Sequence, residues 1–341
     1  LQKREAFFKR FIVLFCLLPY LSFGQINSKR DYVRLIDSAD VYVDSDFALA
    51  EKFLDSIPKP LNLHIEGKLG DYHYLRGIIS NNNNNQSKLF QDFILASSYA
   101  VKEENFLLAG SVYSELFSNI YFVSKDSTAF KYLYKSEYYY KKANDSIGLI
   151  EIKQMPAYIE YVNKNYRISN QLMLDNLEEY KNFHNDKYYY MFACFVLATN
   201  HLALDEPDQA HFYINNFKSI KNDPTIIDKD YLGLESGIEQ SQVNYFFKIK
   251  NIDSIIHYLN KVKQKHSYLN YNNMQDYYQQ NADFYKYIGD SDNYIKYVDS
   301  LLLFENELLI KNLNTGLVMN DIIENNQTQL TSETEKKILN R

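Results

Sequence analysis

The 341-residue chain contains no tryptophan and only two cysteines, and it has few glycines (10) and prolines (6). Two cysteines cannot build a disulfide framework. All-β sandwiches and α/β nucleotide-binding folds place glycine and proline in turns and phosphate loops. Their scarcity favours helices joined by short polar turns. A basic stripe is also missing: 37 Lys and Arg face 43 Asp and Glu, giving a net charge of -6. The two signs are interspersed, so a nucleic-acid partner is not expected.

The motifs of catalysis are equally scarce. No Gly-rich phosphate loop, G-x-S-x-G elbow or H-E-x-x-H pair occurs. The seven histidines (64, 73, 184, 201, 211, 257 and 266) contain no i, i+4 pair, which leaves metal binding without a ligand pattern. Adjacent acids such as Glu178-Glu179 and Glu103-Glu104 point to different azimuths on a helix and read as solvated faces. Asn144-Asp145-Ser146 and Gly289-Asp290-Ser291-Asp292 read as turns and helix caps. Neither continues into a twelve-position calcium loop. The expectation is a non-enzymatic chain with no catalytic residue, no metal and no cofactor.

What the sequence does contain is apolar and aromatic. Hydrophobic residues make up 46%, with Tyr 32 and Phe 22, enough for a large core. Near the start, Lys3, Arg4, Lys9 and Arg10 precede an apolar run from Phe11 to Leu18, then Leu21-Ser22-Phe23-Gly24-Gln25. This pattern predicts a secretory signal peptide over residues 1–24, cut before Gln25, and hence a periplasmic protein. The alternative is an uncleaved inner-membrane anchor, although the run falls short of the roughly 20 apolar residues a span needs. Cleavage removes Cys16 and leaves Cys194, which sits in an apolar stretch and reads as a buried structural residue.

A helical unit recurs along the rest of the chain. Ala282-x-x-Tyr285 leads to the turn Gly289-Asp290, then Tyr294, Val298 and Leu301. Ala198-x-x-His201 leads likewise to Asp205-Glu206-Pro207-Asp208, then Ala210, Ile214 and Phe217. Val243 and Phe246 lead to Asn251-Ile252-Asp253, then Ile255, Leu259 and Val262. The first second-helix position of each unit serves as an anchor. Anchors at 50, 89, 129, 170, 210, 255 and 294 are separated by 39, 40, 41, 40, 45 and 39 residues. One helix pair buries only one face, so such pairs stack to form a continuous core. Tyr138-Tyr139-Tyr140 and Tyr188-Tyr189-Tyr190 read as helix surface and core combined rather than as an aromatic ligand box. From Ser300 the sequence reads as one long helix with a charged, frayed end.

The small residue and aromatic of the first helix (Ala282, Tyr285) and the Gly289-Asp290 turn resemble the tetratricopeptide (TPR) family, as do Ala198 and Ala210. The resemblance covers roughly residues 31–305. It departs from the family in its period of about 40 rather than 34 and in lacking the family's tryptophan and inter-repeat proline. It implies an all-α fold, an α-α superhelix of about six to seven helical hairpins with a long C-terminal helix. The repeat domain would cover 25–305 and a C-terminal helix or linker 306–341. The layout is similar to the extracytoplasmic TPR region of Bacteroidetes sensor and regulator proteins. By that resemblance first-helix residues line a concave groove for a protein or peptide partner. The groove candidates are Gln240, Asn244, Lys248, Gln279, Asp283 and Lys286. Two roles follow as expectations: an exported scaffold, or the sensory region of an envelope signalling protein. The latter would associate with the inner membrane if an apolar span followed Arg341. The alternative is a periplasmic or outer-membrane protein that binds a glycan or peptide.

Overall fold

A computed structural model describes residues 29–43, 46–83, 85–183, 186–226, 228–264 and 271–339. The expected signal peptide lies outside the described residues, as do His184 and His266. Among the described residues the fold is all-α, with sixteen α-helices, one 3-10 turn and no strand. The chain divides into two compact units, residues 1–112 and 113–341.

In the first unit, α1 (Lys29–Tyr42) pairs with α2 (Phe47–Asp55), and α4 (Leu69–Asn82) pairs with α5 (Gln86–Lys102), with the single-turn α3 (Leu61–His64) between them. Its core gathers Ile36, Leu54, Ile65, Leu75 and Ile79, each at most 2% exposed. Helix α6 (Phe106–Ser124) runs through the boundary between the units.

In the second unit a 3-10 turn (Ser127–Ala129) leads into α7 (Phe130–Ala143), which pairs with α8 (Ser146–Val162). Then α8 pairs with α9 (Tyr166–Asp175), and α10 (Leu177–Asn182) follows as a short insert. The pairs α11 (Tyr188–Ala203) with α12 (Pro207–Ser219), α13 (Asp228–Lys248) with α14 (Ile252–Gln264), and α15 (Tyr271–Ile288) with α16 (Ser291–Leu339) complete it. First helices of successive pairs also touch, α11 on α13 and α13 on α15. The largest core cluster centres on α11, where Met191, Ala193, Cys194, Val196, Leu197 and Ala198 are all 0% exposed. Burial pushes the Cys194 thiol up to about 12, so it stays protonated and inert, as its apolar setting in the sequence suggests.

One turn geometry recurs and accounts for the low glycine count. Glu104, Asn144, Lys164, Asp205, Lys250 and Gly289 all have left-handed φ, between 53° and 76°. At each, the next residue's N–H reaches back five residues to a carbonyl: Asn165 to Glu160 at 2.9 Å, Glu206 to His201 at 2.8 Å and Asp290 to Tyr285 at 2.9 Å. This is the Schellman closure, which satisfies carbonyls at a helix C-terminus. Glycine is the residue that adopts this conformation most cheaply, yet only one of the six positions carries it. The residue after the left-handed one then opens the next helix. Asn105, Asp145, Asn251 and Asp290 each accept a backbone N–H three residues on, at 2.8 to 3.2 Å.

Five expected anchors share one register against these caps. Ala50, Leu89, Ala210, Ile255 and Tyr294 lie four residues after Asp46, Asn85, Glu206, Asn251 and Asp290. The first four are 0% exposed, while Tyr294 is half-buried. Asn170 misses by one. Ser169 holds the equivalent place, 0% exposed, with its hydroxyl donating to the Ala157 carbonyl at 2.8 Å. Ala129 falls in the 3-10 turn that precedes α7.

Glu103 corrects the reading of adjacent acids as solvated faces. Its carboxylate accepts from the N–H groups of Leu69 (2.9 Å) and Gly70 (3.1 Å), closing the N-terminus of α4 from the far end of α5. Helix α16 passes residue 305 without a break and exposes Leu302, Leu303, Leu309, Ile310 and Leu313. Helix α6 is long and apolar enough to cross a membrane by length and composition, and half of it is buried in this fold.

Candidate functional site

The second unit holds a cleft of about 700 Å³. Its walls come from the first helices of four successive pairs: α8 (Tyr161), α11 (Thr199), α13 (Asn244, Lys248) and α15 (Gln279, Asp283). Four of the six expected groove residues therefore meet at one place. The cleft is about half polar and half apolar, and side-chain bonds hold its walls. Gln280 Nε2 donates to Asn244 Oδ1 at 2.8 Å and to the Gln240 carbonyl at 2.9 Å, tying α15 to α13. Gln279 Nε2 donates to Asp283 Oδ1 at 2.9 Å. Lys248 reaches Asp205 of the α11–α12 turn at 2.7 Å.

Charges of both signs face the cleft. The surrounding walls desolvate Asp276 and raise its carboxyl above the usual range, with Lys164 across the cleft pulling the other way. Burial also raises the Tyr161 hydroxyl, which Asp276 reinforces, so this tyrosine is a neutral hydrogen-bonding group.

Two expected groove residues stand elsewhere. Gln240 is 3% exposed and lies beneath the cleft, its side-chain nitrogen bonded to the Asn273 carbonyl. A spacing of four residues drifts about 40° per step on a helix, so Gln240 turns inward while Lys248 faces out. Lys286 sits one turn beyond the cleft, with its ammonium 6.0 Å from the centre of the Tyr294 ring. Lys164, Thr199, Gln275, Asp276 and Gln280 line the cleft without having been expected there. For Asp276 and Gln280 the signal was present in the sequence, since Asp276, Gln280 and Asp283 recur at the i, i+4, i+7 spacing of one helix face.

A second, smaller cavity of about 340 Å³ lies between α8 and α11. Tyr158, Tyr188, Tyr189 and Phe192 form its aromatic walls, and Glu151 and Gln154 supply polar groups. Tyr188 and Phe192 stack at 6.0 Å, and Tyr158 meets Phe192 edge-on at 5.2 Å. Tyr189 is buried while Tyr188 and Tyr190 are half-buried, so this run combines surface with core and also lines the cavity. Tyr190 turns toward Cys194 instead. In the other run, Tyr138 is 58% exposed and Tyr140 is 3% exposed, so that run combines surface with core as well.

Glu151 is held behind these rings. Ser114 and Tyr140 both donate hydroxyl hydrogen bonds to its carboxylate, the latter at 3.5 Å. The Tyr140 ring can lie this close because residue 148 has no side chain: a Cβ there would stand 2.4 Å from it. Glu115 of α6 lies nearby, tied to Asn119 at 3.2 Å. Burial and the neighbouring Glu151 push its carboxyl up to about 7. Burial likewise raises Glu151.

Histidines occur with acids but not in ligand groups. His73 meets Asp92 at 2.8 Å and His201 meets Glu206 at 2.6 Å. Among the described residues no three His, Cys, Asp or Glu side chains gather as a metal site. Set against protein-family models and curated proteins, the chain matches none of them.

Proposed function

We propose that this chain is a TPR-like, non-enzymatic protein-interaction module whose cleft takes an extended peptide segment of a partner. The observation that carries the reading is the cleft itself, to which the first helices of four successive pairs each contribute a wall. A groove of amides and mixed charges suits an extended backbone, whose N–H and C=O groups need partners along their whole length. Asn244, Gln275 and Gln279 offer both donors and acceptors there. The recurring turn and the 39 to 45 residue spacing support a solenoid arrangement of the pairs. The basic and apolar pattern of residues 3–18 supports export, and with it a role in the cell envelope as a scaffold or sensory region.

The test is affinity capture with residues 25–341 from envelope extract, followed by mapping the bound segment as a synthetic peptide. Asn244→Ala with Asp283→Ala should weaken that peptide at least tenfold while leaving the helical signal unchanged. A peptide that binds the double variant as tightly as the parent would place the partner elsewhere.

A further inference from the structure

We propose that the aromatic cavity between α8 and α11 binds an organic ammonium cation, held over the faces of Tyr188 and Phe192 and neutralised by the Glu151 carboxylate. Three observations support this. Its volume, about 340 Å³, is at the lower end of small-molecule sites. Four aromatic rings wall it, and ring faces attract cations most strongly where water is excluded. Glu151 lines the same space, and the charges that act on these carboxyl groups are acidic: Glu151 on Glu115, and Asp145 on Glu151. Among the described residues no ion pair joins either carboxyl group, and half-buried carboxyl groups in that setting either hold protons or accept a cation.

The hydrogen bonds fit an ionised Glu151. Ser114 and Tyr140 are donors toward its two oxygens, an arrangement that serves a carboxylate. Gln154 donates to the Tyr189 carbonyl at 2.8 Å, which fixes the α8 and α11 walls against each other before any ligand arrives. The groups facing Glu151 are Ser114 and Glu115 from α6, Tyr140 from α7, Asp145 from the α7–α8 turn, and Tyr188 and Tyr189 from α11. Burial raises the Tyr189 hydroxyl, which stays neutral at any ordinary pH. Binding should therefore strengthen as pH rises and both glutamates ionise, Glu115 at about 7 and Glu151 above its ordinary range because burial raises it.

The ammonium could belong to a free amine or to a lysine side chain of a peptide, and the experiment separates these. The full chain is titrated with n-butylammonium chloride, with 1-pentanol as a neutral control one methylene longer, and with N-acetyl-Ala-Lys-Ala-amide, at matched ionic strength. Tyrosine fluorescence and calorimetry give the readout. The expected result is saturable n-butylammonium binding at pH 8, at least tenfold tighter than 1-pentanol, and weakened at least tenfold by Glu151→Gln. Phe192→Leu keeps the apolar wall and removes a ring face. It should weaken the cation and leave 1-pentanol unchanged, which serves where Glu151→Gln disturbs folding. Tighter binding of the lysine peptide than of n-butylammonium assigns the site to a peptide, and the reverse order assigns it to a free amine. Equal affinity for the amine and the alcohol, or no saturable binding of either cation, overturns the proposal.

Discussion

His201 and Tyr213 lie face to face, their ring centres 5.6 Å apart and their planes 5° from parallel. They are twelve residues apart, and the same interval joins Phe246 to Tyr258 and Tyr285 to Tyr297, both at 5.5 Å and 12°. In all three hairpins the first ring stands five residues before the residue that opens the second helix. That first residue's carbonyl also accepts the hydrogen bond closing the turn. One residue thus fixes the turn through its backbone and the partner helix through its ring. Such stacks contribute about 0.5–1.5 kcal/mol beyond the apolar area they bury.

Tyr213 tests how much of that hairpin rests on the ring. It is 7% exposed. Tyr213→Ala should lower unfolding free energy by about 3–5 kcal/mol, the usual cost of deleting a buried aromatic side chain. Tyr213→Phe keeps the stack and should cost less than about 1.5 kcal/mol. Urea unfolding followed by circular dichroism measures both. Equal losses would assign the stability to the hydroxyl instead of the ring.

Legibility along the chain followed the range of the interaction. Ala198, His201, Ala282 and Tyr285 could be read as packing positions because helical spacing and a nearby turn are both local signals. Ser169 could not be told from Asn170, since both are small and polar and only the cap register separates them. Glu103 was misread because the helix it caps begins 34 residues earlier, and no local pattern marks that contact. The cleft was partly legible: four of its residues follow from the family resemblance, whereas Lys164 and Thr199 join it only once four helices are side by side. The aromatic cavity was not legible, because Glu151 and Tyr188 meet across two helix pairs.

The left-handed turn residues predict opposite effects of glycine at two equivalent sites. Lys250 has φ 56° and Gly289 has φ 76°. A side chain in this conformation costs about 1–2 kcal/mol, part of which glycine's greater freedom in the unfolded chain offsets. Lys250→Gly should therefore stabilise the protein, and Gly289→Ala should destabilise it, each by about 1 kcal/mol. Thermal unfolding of the two variants checks this, and a loss in Lys250→Gly would show that the lysine makes a compensating contact.

Glu103 should matter through its charge as well as its oxygens. It caps two N–H groups at the positive end of α4. Glu103→Gln leaves one acceptor and removes the charge, so a loss of about 1 kcal/mol is expected, and about 2 kcal/mol for Glu103→Ala. Hydrogen exchange should locate the change at the Leu69 and Gly70 amides. Unchanged protection there would mean that solvent caps the helix equally well.

Glu115 makes a prediction about pH. Its carboxyl is pushed from an ordinary 4.5 up to about 7 in the folded chain, first by burial and then by Glu151. Between those values the folded state binds more protons than the unfolded one, so stability falls as pH rises. The contribution is complete below about pH 4.5 and is lost by the time pH has passed about 7. Glu115→Gln removes the titration and keeps an oxygen for the Asn119 amide, now 3.2 Å from the carboxylate. The variant and the parent should unfold alike near pH 4.5. At pH 8 the variant should be more stable, by at most about 3 kcal/mol. The informative quantity is the difference between the two across the pH series, because other titrating groups cancel from it. A difference that stays constant from pH 4.5 to 8 would mean that Glu115 ionises freely in the folded protein, through water reaching the α6–α8 contact.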